Sequence, residues 1–305
     1  MMVSVIIPTH SIERMKYLKE TVNSISNQVF PNLEIIIVVD SDERLYGMLT
    51  KEPFRNAKVL LSKVKGASNA RNCGIKEAVG DILFFIDDDI IVEKDWLKHH
   101  ISKYKDPSII GVGGMIKPLW QGKANEWIPE EMYWTIGCTF DLSAGFSSVR
   151  NVFSGNCSFR KEVLQRIPFP TLYQRCENSL RGTEDTQICI EAQKFFPNHR
   201  IVYEPKAVAY HRIQKDKTFL NRLLMRAYSE GLSKAYIARK YSDGETLTPE
   251  KGYLFKLVSS SIPGRLFPKT GMTVQNLKQV FSVTILTLMV GLGYVSYRWL
   301  GEKDD

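Results

Sequence analysis

Three consecutive carboxylates, Asp87-Asp88-Asp89, follow the apolar run Ile82–Ile86 without a spacer. Like charges side by side repel one another, and a cation relieves the crowding. A hard divalent metal bridging Asp89 to a diphosphate answers that need, as does a ribose hydroxyl bonded to Asp87 or Asp88. The plainer alternative is an acidic loop that caps the next helix near Lys94. Upstream, Lys65-Gly66-Ala67-Ser68-Asn69-Ala70-Arg71-Asn72-Cys73-Gly74 is a small-residue turn entering a helix. Free N–H groups at a helix start bind anions, and Arg71 or Lys65 adds charge-assisted contacts to phosphate. Simple Ser or Asn capping is the bland counterpart.

For such groups to meet, a sheet must deliver them to one edge, because ligands of open α/β sheets bind beyond the carboxyl ends of the strands. Short β-branched runs predict strands at Val3–Ile7, Glu34–Val39, Lys58–Leu61, Ile82–Ile86 and Ile109–Met115. Helical spacing of apolar residues predicts helices at Glu13–Gln28, Ala67–Val79 and Lys94–Tyr104. The alternation implies an α/β fold, a Rossmann-like, mostly parallel sheet with flanking helices and apolar cover on both faces. From Lys117 to Val149 the rhythm gives way to an excursion bearing Trp120, Trp127, Tyr133, Trp134 and Phe140, aromatics that suit a sugar ring or plain packing equally well. A second α/β portion follows, with helices at Lys161–Arg166 and from Asp185 to Lys194 and strands at Arg200–Tyr203 and Ala207–His211.

Beyond His211 come two basic stretches, Phe219–Tyr241 and Lys251–Lys269, in which Arg222, Arg226, Lys234, Arg239, Lys240, Lys256 and Arg265 alternate with Leu, Tyr and Phe. Such a surface lies on an anionic bilayer or forms an ordinary solvated face. Val280–Tyr297 carries no charge and is long enough to cross about 27 Å of hydrocarbon. It ends on Tyr294, Tyr297, Arg298 and Trp299, residues that favour an interface. One C-terminal membrane helix is therefore expected.

Composition bounds the partners. A 305-residue chain with a net charge of +8 and a pI near 9.1 expects an anion, whether nucleotide, lipid surface or nucleic acid. No RRM, KH or zinc-knuckle pattern accompanies the basic third, so nucleic acid is not expected. Cys73, Cys138, Cys157, Cys176 and Cys189 are scattered and odd in number, which predicts reduced thiols and a cytosolic setting. The N-terminal apolar residues look like a first strand, and no cleaved signal peptide is expected.

Taken in order, Val-Ser-Val-Ile-Ile-Pro-Thr-His (3–10), Leu-Glu-Ile-Ile-Ile-Val-Val-Asp (33–40), Gly-Ala-Ser-Asn-Ala-Arg-Asn-Cys-Gly (66–74) and Phe-Phe-Ile-Asp-Asp-Asp (84–89) resemble glycosyltransferase family 2, inverting enzymes of the GT-A fold. Gly-Asn-Cys-Ser-Phe-Arg (155–160), Thr-Glu-Asp (183–185) and Ala-Tyr-His (209–211) extend the resemblance over about 210 residues. The resemblance implies that Pro8 and Thr9 line the base pocket and that an acid after the second strand meets the base. Where the family usually has Asp-Asp-Gly-Ser this chain has Asp40-Ser41-Asp42-Glu43, so Asp40 and Asp42 are both candidates. It further implies donor contacts from Arg71, Asp87, Asp88 and Asn156, and a metal held by Asp89 with Asp87 and His211. Asp185, with Glu184 in reserve, becomes the general base that takes the acceptor proton. Apart from the resemblance, both acids merely favour a helix start, His211 reads as a packed histidine, and Gly155-Asn156 as a tight turn.

The expectation is thus an inverting, metal-dependent glycosyltransferase using Mn2+ or Mg2+ and a UDP- or GDP-linked sugar. Its GT-A domain would span 1–215, basic membrane-associated helices 216–275, and a transmembrane helix with a short tail 276–305. The acceptor would be a lipid-linked glycan of N-glycan, cell-wall or exopolysaccharide assembly, or a polyprenyl phosphate. The anchor would be single-pass, with the catalytic domain cytoplasmic. A nucleotidyltransferase and a non-catalytic nucleotide-sugar binder are the rival classes.

Overall fold

The strands are β1 (Val3–Thr9), β2 (Leu33–Asp40), β3 (Ala57–Ser62), β4 (Ile82–Ile86), β5 (Ile90–Val92), β6 (Ile109–Trp120), β7 (Asn156–Arg160) and β8 (Arg200–Ile213). The helices are α1 (Met15–Ser26), α2 (Glu43–Leu49), α3 (Ala67–Glu77), α4 (Trp96–Lys103), α5 (Lys161–Arg166), α6 (Thr183–Phe195), α7 (Leu220–Lys240), α8 (Thr248–Lys256), α9 (Ile262–Leu266) and α10 (Val274–Leu300). These come from a computed structural model that describes residues 1–140, 148–171, 183–241, 246–269 and 271–300. Cys176, residues 141–147 of the aromatic excursion and the tail 301–305 lie outside the described residues.

Alternation along the strands builds two apolar layers. Val5, Ile7, Ile35, Ile37, Phe84 and Ile86 face one way and pack with Leu18, Val22 and Ile25 of α1 and Leu45 of α2. Ile6, Ile36, Val38, Leu83 and Phe85 face the other and meet Ala70 and Ile75 of α3 and Ile188 and Cys189 of α6. Each such side chain contributes about 1.5–3 kcal/mol when withdrawn from water, so cover on both faces is what holds β1, β2 and β4 at the centre.

The sheet runs β3-β2-β1-β4-β7-β6-β8-β5. It is mixed: β3, β2, β1 and β4 are parallel, whereas β7 is antiparallel to both β4 and β6. Parallel register sets Pro8 beside Val38 and Thr9 beside Val39, so the strand ends Thr9, Asp40 and Ile86 share one edge. Because β7 runs the other way, its first residue Asn156 pairs with Ile86 and brings Gly155 to that same edge.

Three elements differ from the sequence expectation. No strand was expected at 156–160, yet Asn156 opens β7 directly after a turn at Ser154-Gly155, which the Asn156 N–H closes on the Phe153 carbonyl. The two strands expected at 200–211 are one, β8, which runs through Pro205; there the Lys206 N–H turns to the Glu204 side chain instead of the ladder. The acidic segment after β2 starts a helix, α2, with Asp42 accepting from the Leu45 N–H as its cap.

The chain divides into two units. The first holds the sheet and comprises Met1–Leu119, the described part of 141–174, and Glu184–Arg212. The second gathers Trp120–Phe140 with Ile213 onward. In it the aromatic excursion packs internally: Trp134 Nε1 donates to the Tyr253 hydroxyl (3.2 Å), which donates to the Glu131 carbonyl (2.6 Å). Arg265 forks onto both Glu131 carboxylate oxygens at 2.9 and 2.8 Å. Helices α7 and α10 meet where neither has a side chain, since a Cβ on Gly231 would stand 2.0 Å from the Val290 carbonyl oxygen and one on Gly293 2.1 Å from that of Tyr228.

Candidate active site

Asp87, Asp88 and Asp89 leave β4 in three different environments. The Asp87 side chain is 41% exposed and takes an ion pair from Arg71 Nη2 at 3.2 Å. Gly155 lies against it so closely that an added Cβ would stand 3.1 Å from Asp87 Oδ2. Asp88 turns inward at 2% exposure, accepting from the Thr9 hydroxyl at 2.6 Å and forming an ion pair with Arg14 Nη2 at 2.8 Å. Burial pushes its carboxyl up to about 7 even though Arg14 and Thr9 pull the other way. Asp89, equally buried, gives its Oδ2 to Arg14 and has His211 Nε2 at 3.3 Å from the same oxygen.

Helix α1 braces this turn. Thr21 donates its hydroxyl to the Asp88 carbonyl (3.2 Å), Glu20 pairs with Arg212, and the Arg212 N–H bonds the Asp89 carbonyl at 3.1 Å. His211 and Arg212 arrive on β8, where His211 pairs with Ile90 of β5.

Pro8 and Thr9 close β1 beside the end of β2, where Asp40 stands. Asp40 Oδ1 accepts from the Gly66 N–H at 2.5 Å, tying the end of β2 to the turn that enters α3. Asp42 is committed to capping α2. From α3 the Arg71 side chain points inward and stacks over Phe169 at 5.4 Å. Burial opposes its charge, but Asp87, Asp185 and Glu184 outweigh burial and raise its pKa. Its Nε and Nη1 are buried without a partner.

Asp185, on the first turn of α6, is half-buried, and desolvation together with Glu184 pushes its carboxyl up to about 7 against the pull of Arg71. Its Oδ2 accepts from the Ser154 N–H at 2.9 Å, while Oδ1 is buried and unpartnered. Asn156 is wholly buried. Both of its amide hydrogens go to the Met115 and Ala207 carbonyls, and its Oδ1 accepts from Trp96 Nε1 and faces His100 Nε2. That leaves Asn156 no hydrogen for a ligand; it fixes the neighbouring Gly155 instead.

The structure thus brings Asp87 and Asp185 each into electrostatic reach of Arg71 and sets Asp89 beside His211. Among the described residues no three or more His, Cys, Asp or Glu side chains form a ready metal cluster. The donor pair nevertheless suits a hard divalent cation: two donors each about 2.1 Å from one ion at right angles lie about 3 Å apart, and such ions leave other positions to water and phosphate oxygens. Sequence reasoning missed Arg14. A cation at the positive end of a helix is unfavourable unless something neutralises it, and that was the available signal. The Ser154 N–H is backbone and left no signal.

Comparison with known proteins bears on the family and the fold. The family model described as glycosyl transferase family 2 matches residues 4–168. A glucosyl-dolichyl phosphate glucuronosyltransferase of Haloferax volcanii is 28% identical, covering 97% of this chain and 96% of that protein. A dolichyl N-acetylglucosaminyl phosphate diacetamido-dideoxy-glucuronosyltransferase of Methanococcus voltae is 29% identical over 87% of this chain and 82% of its own length. Among solved structures, a Pyrobaculum calidifontis mannosyltransferase in complex with GDP-Man and Mn2+ superposes with a TM-score of 0.61 at 14% identity, covering 99% of this chain and 88% of that one. The Staphylococcus aureus TarS fragment in complex with UDP-GlcNAc gives 0.53 at 19% identity, covering 98% and 92%, so both share the fold. Since the family match runs through more than half of the 305 residues and takes in Pro8, Arg71, the three aspartates and Asn156, the chain belongs to glycosyl transferase family 2 and is a glycosyltransferase.

Proposed function

We propose that the protein moves a sugar, a uronic acid by analogy with its two long relatives, from a nucleotide-sugar donor to a dolichyl-phosphate-linked acceptor, with inversion at the anomeric carbon. The observation that carries this reading is the unpartnered Oδ1 of Asp185, a buried carboxylate oxygen within electrostatic reach of Arg71, which itself pairs with Asp87. An acceptor hydroxyl that attacks the anomeric carbon must lose its proton, and Asp185 Oδ1 is the atom to receive it. As the new C–O bond forms, the bond to the diphosphate breaks and its electron pair leaves on the phosphate oxygen. Glu184 is the reserve base.

Pro8 and Thr9 with Asp40 frame the base, since Asp42 is occupied as a helix cap. Arg71, with two unpartnered N–H-bearing nitrogens, binds the diphosphate. Asp87 takes the ribose or the metal, and Asp88 anchors the turn. Asp89 and His211, with Asp87, would hold Mn2+ or Mg2+, and such an ion when bound supplies Lewis-acid neutralisation of the leaving nucleoside diphosphate.

Two features support a lipid-linked acceptor. Both long relatives are named for dolichyl phosphate-linked substrates, and their likeness runs well past residue 168, where the family model stops. The second unit also carries α10, whose residues Val274–Trp299 are long and apolar enough to cross a membrane. We place the catalytic domain on the cytoplasmic side, where sugar nucleotides are made.

The test is binding and turnover measured side by side with UDP- and GDP-linked sugars, uronic acids included. Asp185→Asn is expected to keep donor binding and lose transfer by about 10²–10⁴-fold. Asp89→Ala is expected to lose the metal-dependent part of donor binding. Normal transfer by either variant overturns its assigned role.

A further inference from the structure

Arg14 Nη2 touches Asp88 Oδ1 and Asp89 Oδ2 together, so one nitrogen is divided between two carboxylates. This is not the paired fork that makes arginine hard to displace. Its Nε is buried with no partner, and its side chain is 22% exposed where those of both carboxylates are 2–3% exposed. The oxygen it holds on Asp89 is the one that His211 Nε2 approaches at 3.3 Å. Asp88 is held at Oδ1 by Arg14, at Oδ2 by Thr9 and at its carbonyl by Thr21. Arg14 also stands at the start of α1, the end of a helix least favourable to a cation, so these carboxylates are what keep it there.

We propose that Arg14 is the resident counter-cation of the metal site: it holds Asp89 until a divalent cation arrives, then yields that oxygen and stays with Asp88. The inference rests on the reading of Asp89 and His211 as metal ligands. Metal and Arg14 exclude each other at one oxygen, so metal alone binds weakly. A diphosphate adds the negative charge that lets both cations remain, which couples donor binding to metal binding in both directions. Asp88, the middle of the run, acquires a role distinct from its neighbours: it is where Arg14 is kept.

The test is Mn2+ binding by titration calorimetry on the full chain, with and without UDP or GDP, each variant first checked for a cooperative thermal transition. Arg14→Met, which keeps the stem and removes the charge, is expected to bind Mn2+ about tenfold tighter without nucleotide, with correspondingly less help from UDP or GDP. Arg14→Lys keeps the charge and is expected to stay near wild type. Asp88→Asn leaves Arg14 on Asp89, and is expected to weaken Mn2+ binding about threefold in the wild-type background and not at all once Arg14 is Met. Unchanged or weaker binding by Arg14→Met, or an Asp88→Asn effect equal in both backgrounds, overturns the proposal. Absence of Mn2+ binding by every folded variant, with nucleotide present, overturns the metal reading itself together with this one.

Discussion

Asp185 is asked to be both desolvated and ionised, and the two demands fix how the protein responds to pH. Desolvation, with Glu184 beside it, raises its carboxyl to about 7, so below that pH the group is protonated and cannot accept the acceptor's proton. Turnover at saturating donor is therefore expected to rise through about pH 7 and to fall toward tenfold per unit on the acid side; a flat profile would remove Asp185 as base. Stability moves the other way. In the unfolded chain the aspartate ionises near its ordinary value, so between that value and about 7 the folded state holds the extra proton. The contribution to stability is then complete at low pH and lost as pH rises through about 7. Asp185→Asn, which cannot ionise, is expected to melt progressively higher than wild type as pH rises over that range. The carboxylates were legible in the sequence because their type and adjacency already imply chemistry. Their division of labour was not, because it depends on partners far along the chain: Thr9 and Arg14 turn Asp88 inward, and two carbonyls and Trp96 occupy Asn156.

Elements with a strong period were equally legible. The runs behind β1, β2 and β4 and the amphipathic stretches behind α1 and α3 appear near the expected positions, since cover on both sides forces continuous apolarity in one and a stripe in the other. Strand β7 was hidden because Asn156 and Ser158, polar by type, are buried in a hydrogen-bonded network with His100 and Tyr104. The meeting of α7 and α10 was hidden as well, because a glycine in a helix reads as a weakness. At Gly231 it is the condition of contact. Gly231→Ala would drive a methyl into the Val290 carbonyl and is expected to cost about 1–3 kcal/mol. Gly252 in α8 has nothing within 4 Å of its added Cβ, so Gly252→Ala is expected to stabilise by about 0.5–1 kcal/mol through helix propensity. Thermal melts of the two variants check the pair, and equal effects would show that the close approach is not what joins these helices.

At the scale of the whole molecule, the residues proposed for chemistry and the helix proposed for membrane attachment fall in different units. Every carboxylate, arginine and histidine proposed above for donor, metal or acceptor lies in the unit that carries the sheet, while the long apolar helix α10 lies in the other. Helix α10 buries Ser282, Val283, Leu286 and Gly293 on one side. It exposes Phe281, Leu288, Leu292, Val295 and Trp299 on another, a stripe about 27 Å long at the helical rise. Water would penalise that stripe, whereas acyl chains would accept it, and Lys278 near one end with Arg298 and Trp299 at the other suits headgroups. Binding of this kind is hydrophobic rather than electrostatic. The protein is therefore expected to stay with membranes through high-salt and alkaline carbonate washes and to be released by detergent. Leu288→Arg, which sets a charge at the centre of the stripe at a penalty of about 2.5–3.5 kcal/mol if it faces acyl chains, is expected to shift the protein toward the soluble fraction with its donor binding intact. Wild-type protein recovered wholly in the soluble fraction would remove the membrane from the account and leave the sheet's edge to find its acceptor in solution.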